Sequence, residues 1–167
     1  GRLIASDTDR GRLSRLAPRA ARAGATIITE VLLDPGREAE TLLALRGEAD
    51  IALVDAPCSG SGTWRRNPEA RWRLDEGELG RLTVLQSDIL DLAARLVKPG
   101  GRLVFVTCSL LDTEGADQAS GFLSRHPGWR AQALALGAGR PRGAGLRLTP
   151  GHDATDGFFI ARFDSVC

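Results

Sequence analysis

The chain has 167 residues, of which 43% are hydrophobic and 26% charged, and its net charge is +1. That length supports a domain with a real core, no stretch approaches the run of ~18 apolar residues that a membrane-spanning helix needs, and the near-zero charge excludes a global basic field. Three cysteines are an odd count, and their spacing suits neither a disulfide framework nor a zinc site. No metal is therefore expected, and reduced thiols in a cytoplasmic setting are the expectation. No basic segment leading into an apolar run opens the chain, so no secretory signal is visible. The positive charge is almost all arginine, with Lys98 the one lysine. Arginine suits phosphate because its fork binds two oxygens at once, although the same excess fits the codon bias of an Ala-, Arg- and Gly-rich chain.

Residues 3–6 (LIAS) read as a strand that the first residues enter directly. Asp7 and Asp9 follow, and Leu13, Leu16 and Ala20 then recur at helical spacing up to Arg22, with Asp9 as N-cap and Gly24 as C-cap. Residues 26–29 are β-branched and read as a strand. Pro35-Gly36 breaks the chain before a short helix at 37–45, and residues 50–54 form the next strand. Residues 60–73 are too polar and Gly-rich for a core element. The longest helical pattern spans 74–97, with Leu82, Leu85, Ile89, Leu92 and Leu96 on one face. Pro99-Gly100-Gly101 ends it, and residues 102–107 form a strand. A helix over 113–125 closes before Pro127-Gly128, residues 137–145 form a Gly- and Arg-rich loop, and residues 158–163 are a final strand. The segments 129–136 and 158–163 can form a terminal hairpin. Strands alternating with helices predict an α/β fold, a parallel sheet with helices on both faces. Neither an internal repeat nor a domain linker is visible.

Two cysteine motifs stand out. Asp55-Ala56-Pro57-Cys58-Ser59-Gly60 follows one apolar strand, and Thr107-Cys108-Ser109 follows another. In open α/β sheets, ligands sit at the carboxyl ends of strands. Two thiols and a carboxylate would then meet in one crevice, equipped for covalent chemistry on an electron-poor ring. Pro57 fixes its own φ and biases Ala56 toward extended backbone, presenting Cys58 at a set angle. An isolated cysteine is commonly a small buried hydrophobe, but the Asp-Ala-Pro-Cys-Ser-Gly string argues against that here. Asp7, just past a strand, suits a ribose diol, because a carboxylate accepts two hydrogen bonds; it equally suits a helix start. Cys167 is terminal and read as incidental.

These residues resemble the Sun (Fmu) and Nop2 family of S-adenosylmethionine-dependent RNA cytosine-5 methyltransferases. Residues 49–72 (ADIALVDAPCSGSGTWRRNPEARW) carry the most specific block. Residues 99–111 (PGGRLVFVTCSLL) are the second, and residues 149–162 (TPGHDATDGFFIAR) match the closing motif. Residues 86–90 fit the helix before the second block. The resemblance implies a Rossmann-like class I methyltransferase sheet, S-adenosyl-L-methionine as cofactor, RNA as partner and 16S rRNA cytosine methylation as the role. It implies that Cys108 is the nucleophile that adds to cytosine C6, and that Cys58 assists release of the methylated product. Asp55 would hold the base edge near the cofactor, and Asp7 would bind the cofactor ribose. DNA cytosine methyltransferases use a Pro-Cys thiol as nucleophile, so a second cysteine in Thr-Cys-Ser favours the RNA family.

Arg65, Arg66, Arg71 and Arg73 crowd the loop after Cys58, interleaved with Trp64 and Trp72. That composition suits RNA, with arginines on phosphates and rings on unpaired bases, and Arg65, Arg66 and Arg71 are the RNA-binding candidates. The two tryptophans equally suit packing of the loop onto the domain. Arg140 and Arg142 read as residues of a solvated loop. The chain departs from the family pattern in three places. The Gly-rich cofactor loop is expected upstream of Gly1, so the chain reads as an N-terminally truncated catalytic domain that binds cofactor weakly. Neither Glu30 nor Asp34 aligns with the family's adenine-contacting acid. Asp112 stands where a proline is usual. A monomer is expected. Two other functions fit the same fold: a non-catalytic RNA-binding or ribosome-assembly protein, and a nucleotide-binding enzyme such as a reductase. Neither gives a reason for two strand-end cysteines.

Overall fold

A computed structural model describes residues 1–26 and 28–166. Ile27, within the strand expected at 26–29, and Cys167 lie outside the described residues. The chain divides into two compact units, Gly1–Ala44 and Leu45–Cys167.

In the first unit, β1 (Leu3–Asp7) and β2 (Ile28–Leu32) pair in parallel, from Leu3 opposite Ile28 to Asp7 opposite Leu32. The single helix expected after Asp9 is two helices, α1 (Arg10–Leu13) and α2 (Leu16–Arg22). Pro18 explains the break. It has no N–H to offer the Ser14 carbonyl, and its ring would crowd that carbonyl in a continuous helix. In the first turn of α2 neither matters. The Asp9 carboxylate accepts from the Arg12 N–H at 2.9 Å, as a cap should. The helix expected at 37–45 is α3 (Glu38–Thr41) and a 3-10 turn, Leu43–Leu45.

The second unit is built on a six-stranded sheet. It contains β3 (Ala49–Asp55), β4 (Val97–Thr107), β5 (Trp129–Gln132), β6 (Arg140–Arg142), β7 (Gly145–Leu148) and β8 (Phe158–Ser165). The order is β3-β4-β8-β7-β6, with β5 also on β8. Only β3 and β4 run parallel, joined by the crossover helix α4 (Glu76–Leu96); every pairing of β8, and that of β6 with β7, is antiparallel. The sheet is thus mixed rather than parallel throughout. A parallel neighbour needs a long crossover. The turn between β6 and β7 and the short α6 (Pro150–Asp153) between β7 and β8 can only reverse the chain. The Gly- and Arg-rich stretch expected as a loop therefore contains strand β6.

Alternation places Leu103, Phe105 and Thr107 of β4 and Phe159, Ala161 and Phe163 of β8 on one face, all fully buried. Helices α4 and α5 (Ala116–Arg125) pack side by side on that face. The Phe122 ring of α5 lies 4.7 Å from Phe163 and 5.5 Å from Trp129. On α4 the buried residues are Leu82, Gln86, Leu90 and Ala93. Of the apolar face expected from the sequence only Leu82 is fully buried; Leu85, Ile89, Leu92 and Leu96 are half-buried. Gln86 has polar partners beneath the helix, and holding it there moves the contact line by one residue. No helix among the described residues is long and apolar enough to cross a membrane.

Candidate functional site: a two-thiol centre at the ends of β3 and β4

Asp55 is the last residue of β3 and pairs with Val106, next to the end of β4. The Ala56 N–H continues the ladder by donating to the Val106 carbonyl at 3.0 Å. Both chains then leave the sheet side by side, so Cys58 and Cys108 meet. Their Sγ atoms are 3.4 Å apart, and both residues are half-buried. One thiol proton lies between two sulfurs, so one sulfur donates and the other accepts. Cys58 is the donor. Its hydrogen bond lowers the ionisation of Cys108 to about 7, below the ordinary cysteine value, although burial and the charge of Asp55 work against this. The same bond, with burial, pushes the Cys58 thiol well up. Proximity of two sulfurs thus yields one reactive thiolate and one retained proton.

A polar network lies beneath the sulfurs. Glu114, fully buried, accepts from the Ser59 N–H at 2.8 Å, the Ser59 hydroxyl at 2.5 Å and the Ser109 hydroxyl at 2.6 Å. Gln86 of α4 donates to Glu114 at 3.1 Å and to the Pro57 carbonyl at 2.9 Å. Ser61 bridges to Ser109 at 2.9 Å and accepts from the Leu110 N–H at 2.9 Å. Sequence reading did not find Glu114, Ser61 or Ser109 as site residues. One signal was present: Gln86 sits four residues from both Leu82 and Leu90, a polar residue in the middle of a buried stripe.

Gly62 and Gly157 close the loop. The Gly62 N–H donates to the Cys108 carbonyl at 3.0 Å, and the Gly157 N–H donates to the Gly62 carbonyl at 2.8 Å. A Cβ on Gly62 would stand 2.1 Å from the Gly157 carbonyl oxygen, a backbone atom that cannot swing away. Gly62→Ala is therefore expected to displace the Cys58 loop and to cost about 1–3 kcal/mol of stability. Thermal melting read together with the alkylation rate of Cys108 checks this; a variant unchanged in both measurements counts against it.

The other predicted site residues divide by location. Asp55 is exposed, and among the described residues no protein donor bonds its carboxylate. Its charge reaches Cys108. Asp7 ends β1 in the first unit, where its carboxylate accepts from the Asp9 N–H at 2.8 Å and stands 3.5 Å from the Arg12 guanidinium. Arg65 and Arg66 both face Asp156, Arg66 at 2.5 Å and Arg65 at 3.7 Å. Asp156 is largely buried, so this pairing ties the 3-10 turn after Cys58 to the closing motif. Arg71 lies over the Trp72 ring at 4.3 Å, and Trp72 is 75% exposed. Trp64 is half-buried with its indole N–H unpartnered. The loop tryptophans therefore split, one packed inward and one outward. Asp112 binds both Arg142 and Arg147, which hold its carboxyl down at about 2. That clasp fastens the β6–β7 hairpin. Arg142 is thus paired rather than simply solvated, and Arg140 meets His152 at 3.1 Å.

The chain is similar to known proteins over nearly its whole length. The family model described as 16S rRNA methyltransferase RsmB/F matches residues 1–164. The ribosomal RNA small subunit methyltransferase B of Klebsiella pneumoniae (strain 342) is 37% identical over 160 residues, covering 96% of this chain and 36% of the relative. The crystal structure of PH0851 superposes with a TM-score of 0.91 at 35% identity, over 99% of this chain and 37% of that one. NSun6 from Pyrococcus horikoshii with SFG superposes at 0.81 and 25% identity, over 100% of this chain and 42% of that one. The chain thus spans little more than a third of the length of the curated relatives it matches. With the family model matched from the first residue to the last strand, and the fold shared with these neighbours, the chain belongs to the 16S rRNA methyltransferase RsmB/F family.

Proposed function

We propose that this chain carries the reacting centre of an S-adenosylmethionine-dependent RNA cytosine-5 methyltransferase, with 16S rRNA as substrate. The observation that carries the reading is the pair of thiols 3.4 Å apart at two strand ends, with Cys108 ionising at about 7. Cytosine C5 is not nucleophilic enough to take a methyl group unaided. The Cys108 thiolate forms a bond to C6, which pushes the ring electrons toward C5 and makes that carbon enamine-like. Asp55, exposed at the end of β3, accepts a hydrogen bond from the base edge and holds the ring in place. Cys58 assists release: as the C5 proton passes to solvent and the C5–C6 double bond re-forms, the C6–sulfur bond breaks and the Cys108 thiolate departs beside the Cys58 thiol, 3.4 Å away. The target base must be unstacked to open both ring faces. Arg71 and Trp72 offer a cation and an exposed ring for the neighbouring RNA, with Arg65 and Arg66 beside Asp156.

The residues present fit the cofactor. Asp7 and Asp55 are strand-end carboxylates, and Asp55 has both oxygens open to donors, as recognition of hydroxyl and amino groups requires. When bound, S-adenosylmethionine supplies an electrophilic methyl group on a sulfonium. Asp7 would hold its ribose diol.

The direct test is transfer of labelled methyl from S-adenosylmethionine to unmodified 16S rRNA by the full-length protein. Label at cytosine C5 supports the reading; absence of label in folded protein rejects the substrate or the activity. The pH dependence is a separate prediction. Cys108 is reactive only as a thiolate, so kcat/KM should rise with pH through about 7 and level off above it. A profile that is flat between about pH 6 and pH 8 would contradict the assignment.

A further inference from the structure

Glu114 has no part in the chemistry above, yet it is fully buried in the 3-10 turn Asp112–Glu114. Its Oε1 accepts from the Ser59 N–H and from Gln86, and its Oε2 accepts from the hydroxyls of Ser59 and Ser109. Ser59 directly follows Cys58, and Ser109 directly follows Cys108. The proton directions are determined. A carboxylate has no donor, so both hydroxyls give it their only proton. Ser109 Oγ can then only accept, and it does so from the Ser61 hydroxyl at 2.9 Å and the Leu111 N–H at 3.1 Å. No proton in the network is used twice.

We propose that Glu114 is a positioning residue for the two-thiol centre: one carboxylate grips the residues after both cysteines and so holds the sulfurs within hydrogen-bond distance. The inference rests on the reading that Cys58 and Cys108 act as a pair. The charge of Glu114 is by itself a disadvantage there. It opposes ionisation of both cysteines, alongside the carboxylate of Asp55. Burying that charge is also costly unless its acceptor sites are filled, and four donors fill them. A neutral amide would remove the unfavourable charge, but in either orientation its N–H2 group would face donors, the two hydroxyls or the Ser59 N–H and Gln86 amide. The loops would lose their common anchor.

The two roles therefore predict opposite signs. Removing the charge alone would lower the ionisation midpoint of Cys108. Losing the anchor separates the sulfurs, removes the Cys58 hydrogen bond and raises the midpoint. The groups that set it are Cys58, Asp55 and Glu114. The experiment is the pH dependence of Cys108 alkylation by iodoacetamide, read by peptide mass spectrometry in the full-length protein. Wild type is compared with Glu114→Gln, Glu114→Asp, Ser59→Ala and Ser109→Ala. Glu114→Gln should raise the midpoint by about one unit, slowing alkylation near neutral pH about tenfold. It should lower kcat by about 10–100-fold, with KM for RNA changed less than about threefold. Glu114→Asp, which keeps the carboxylate, should recover part of both. If Glu114→Gln does not fold, the two serine variants each remove one arm and should shift the midpoint upward by less. A midpoint that stays or falls in Glu114→Gln with a native melting curve, or in both serine variants, overturns the inference. Alkylation needs no RNA, so a rising midpoint supports the inference even if no RNA is methylated. Failure of the methyltransferase reading is thus scored separately.

Discussion

Cys108→Ala is expected to lower methyl transfer by at least about 10³-fold while leaving RNA binding within about threefold of wild type. The reason is local. Cys108 begins the loop after β4, and its sulfur is half-buried beside Cys58 rather than packed in the core. The side chains that hold β4 in the sheet are Leu103 and Phe105, which the substitution does not touch. What is lost is the bond to C6, without which C5 has no electron supply. The measurement is incorporation of labelled methyl into 16S rRNA beside a filter-binding assay on the same RNA. Substantial activity in the variant would remove Cys108 from the nucleophile's role. Equal RNA binding with no methylation by wild type or variant would instead favour a protein that binds RNA and keeps the fold without the reaction.

Cys58→Ala should have a different phenotype: a covalent protein–RNA adduct that survives denaturing electrophoresis. Cys58 donates to the Cys108 sulfur across 3.4 Å, and a thiolate leaves faster when a donor stabilises it. Without that donor the C6–sulfur bond breaks slowly, and the adduct accumulates. The same loss returns Cys108 toward the ordinary cysteine value, so adduct formation also slows near pH 7 and recovers as pH rises. The variant should therefore show little adduct at neutral pH and more at about pH 9, where the thiolate forms without help. Adding Cys108→Ala should abolish the adduct at both values. Adduct yield that falls with rising pH, or persists in the double variant, would overturn the division of roles.

The elements nearest the chemistry were the most legible in the sequence. Residues 51–54 and 102–107 are apolar runs ended by Pro-Cys and Thr-Cys motifs, and β3 and β4 end at Asp55 and Thr107. In β4 the run is apolar because Leu103 and Phe105 are buried, whereas Ile51 and Leu53 of β3 are exposed in this structure. The helix 74–97 was legible as α4, but its buried face was not. Periodicity reports where apolar residues lie, whereas burial also follows a polar residue with a satisfied partner, as Gln86 has. Of the antiparallel half of the sheet, the expected pairing of 129–136 with 158–163 is β5 against β8, while β6 and β7 were missed for a related reason. Alternation of strands and helices carries no sign of direction, and β6 is three residues with two arginines.

The family and the strand-end placement of both cysteines and Asp55 were readable in the residues alone. These are properties of short contiguous motifs, set by backbone conformation and residue type. Three features needed the folded chain: that the two sulfurs meet, that Glu114 grips both cysteine loops, and that Asp112 clasps Arg142 and Arg147. Cys58 and Cys108 are 50 residues apart, and Ser59 and Glu114 are 55. Hydrogen bonds reach about 3 Å, so their partners exist only once the sheet has set the register between β3 and β4.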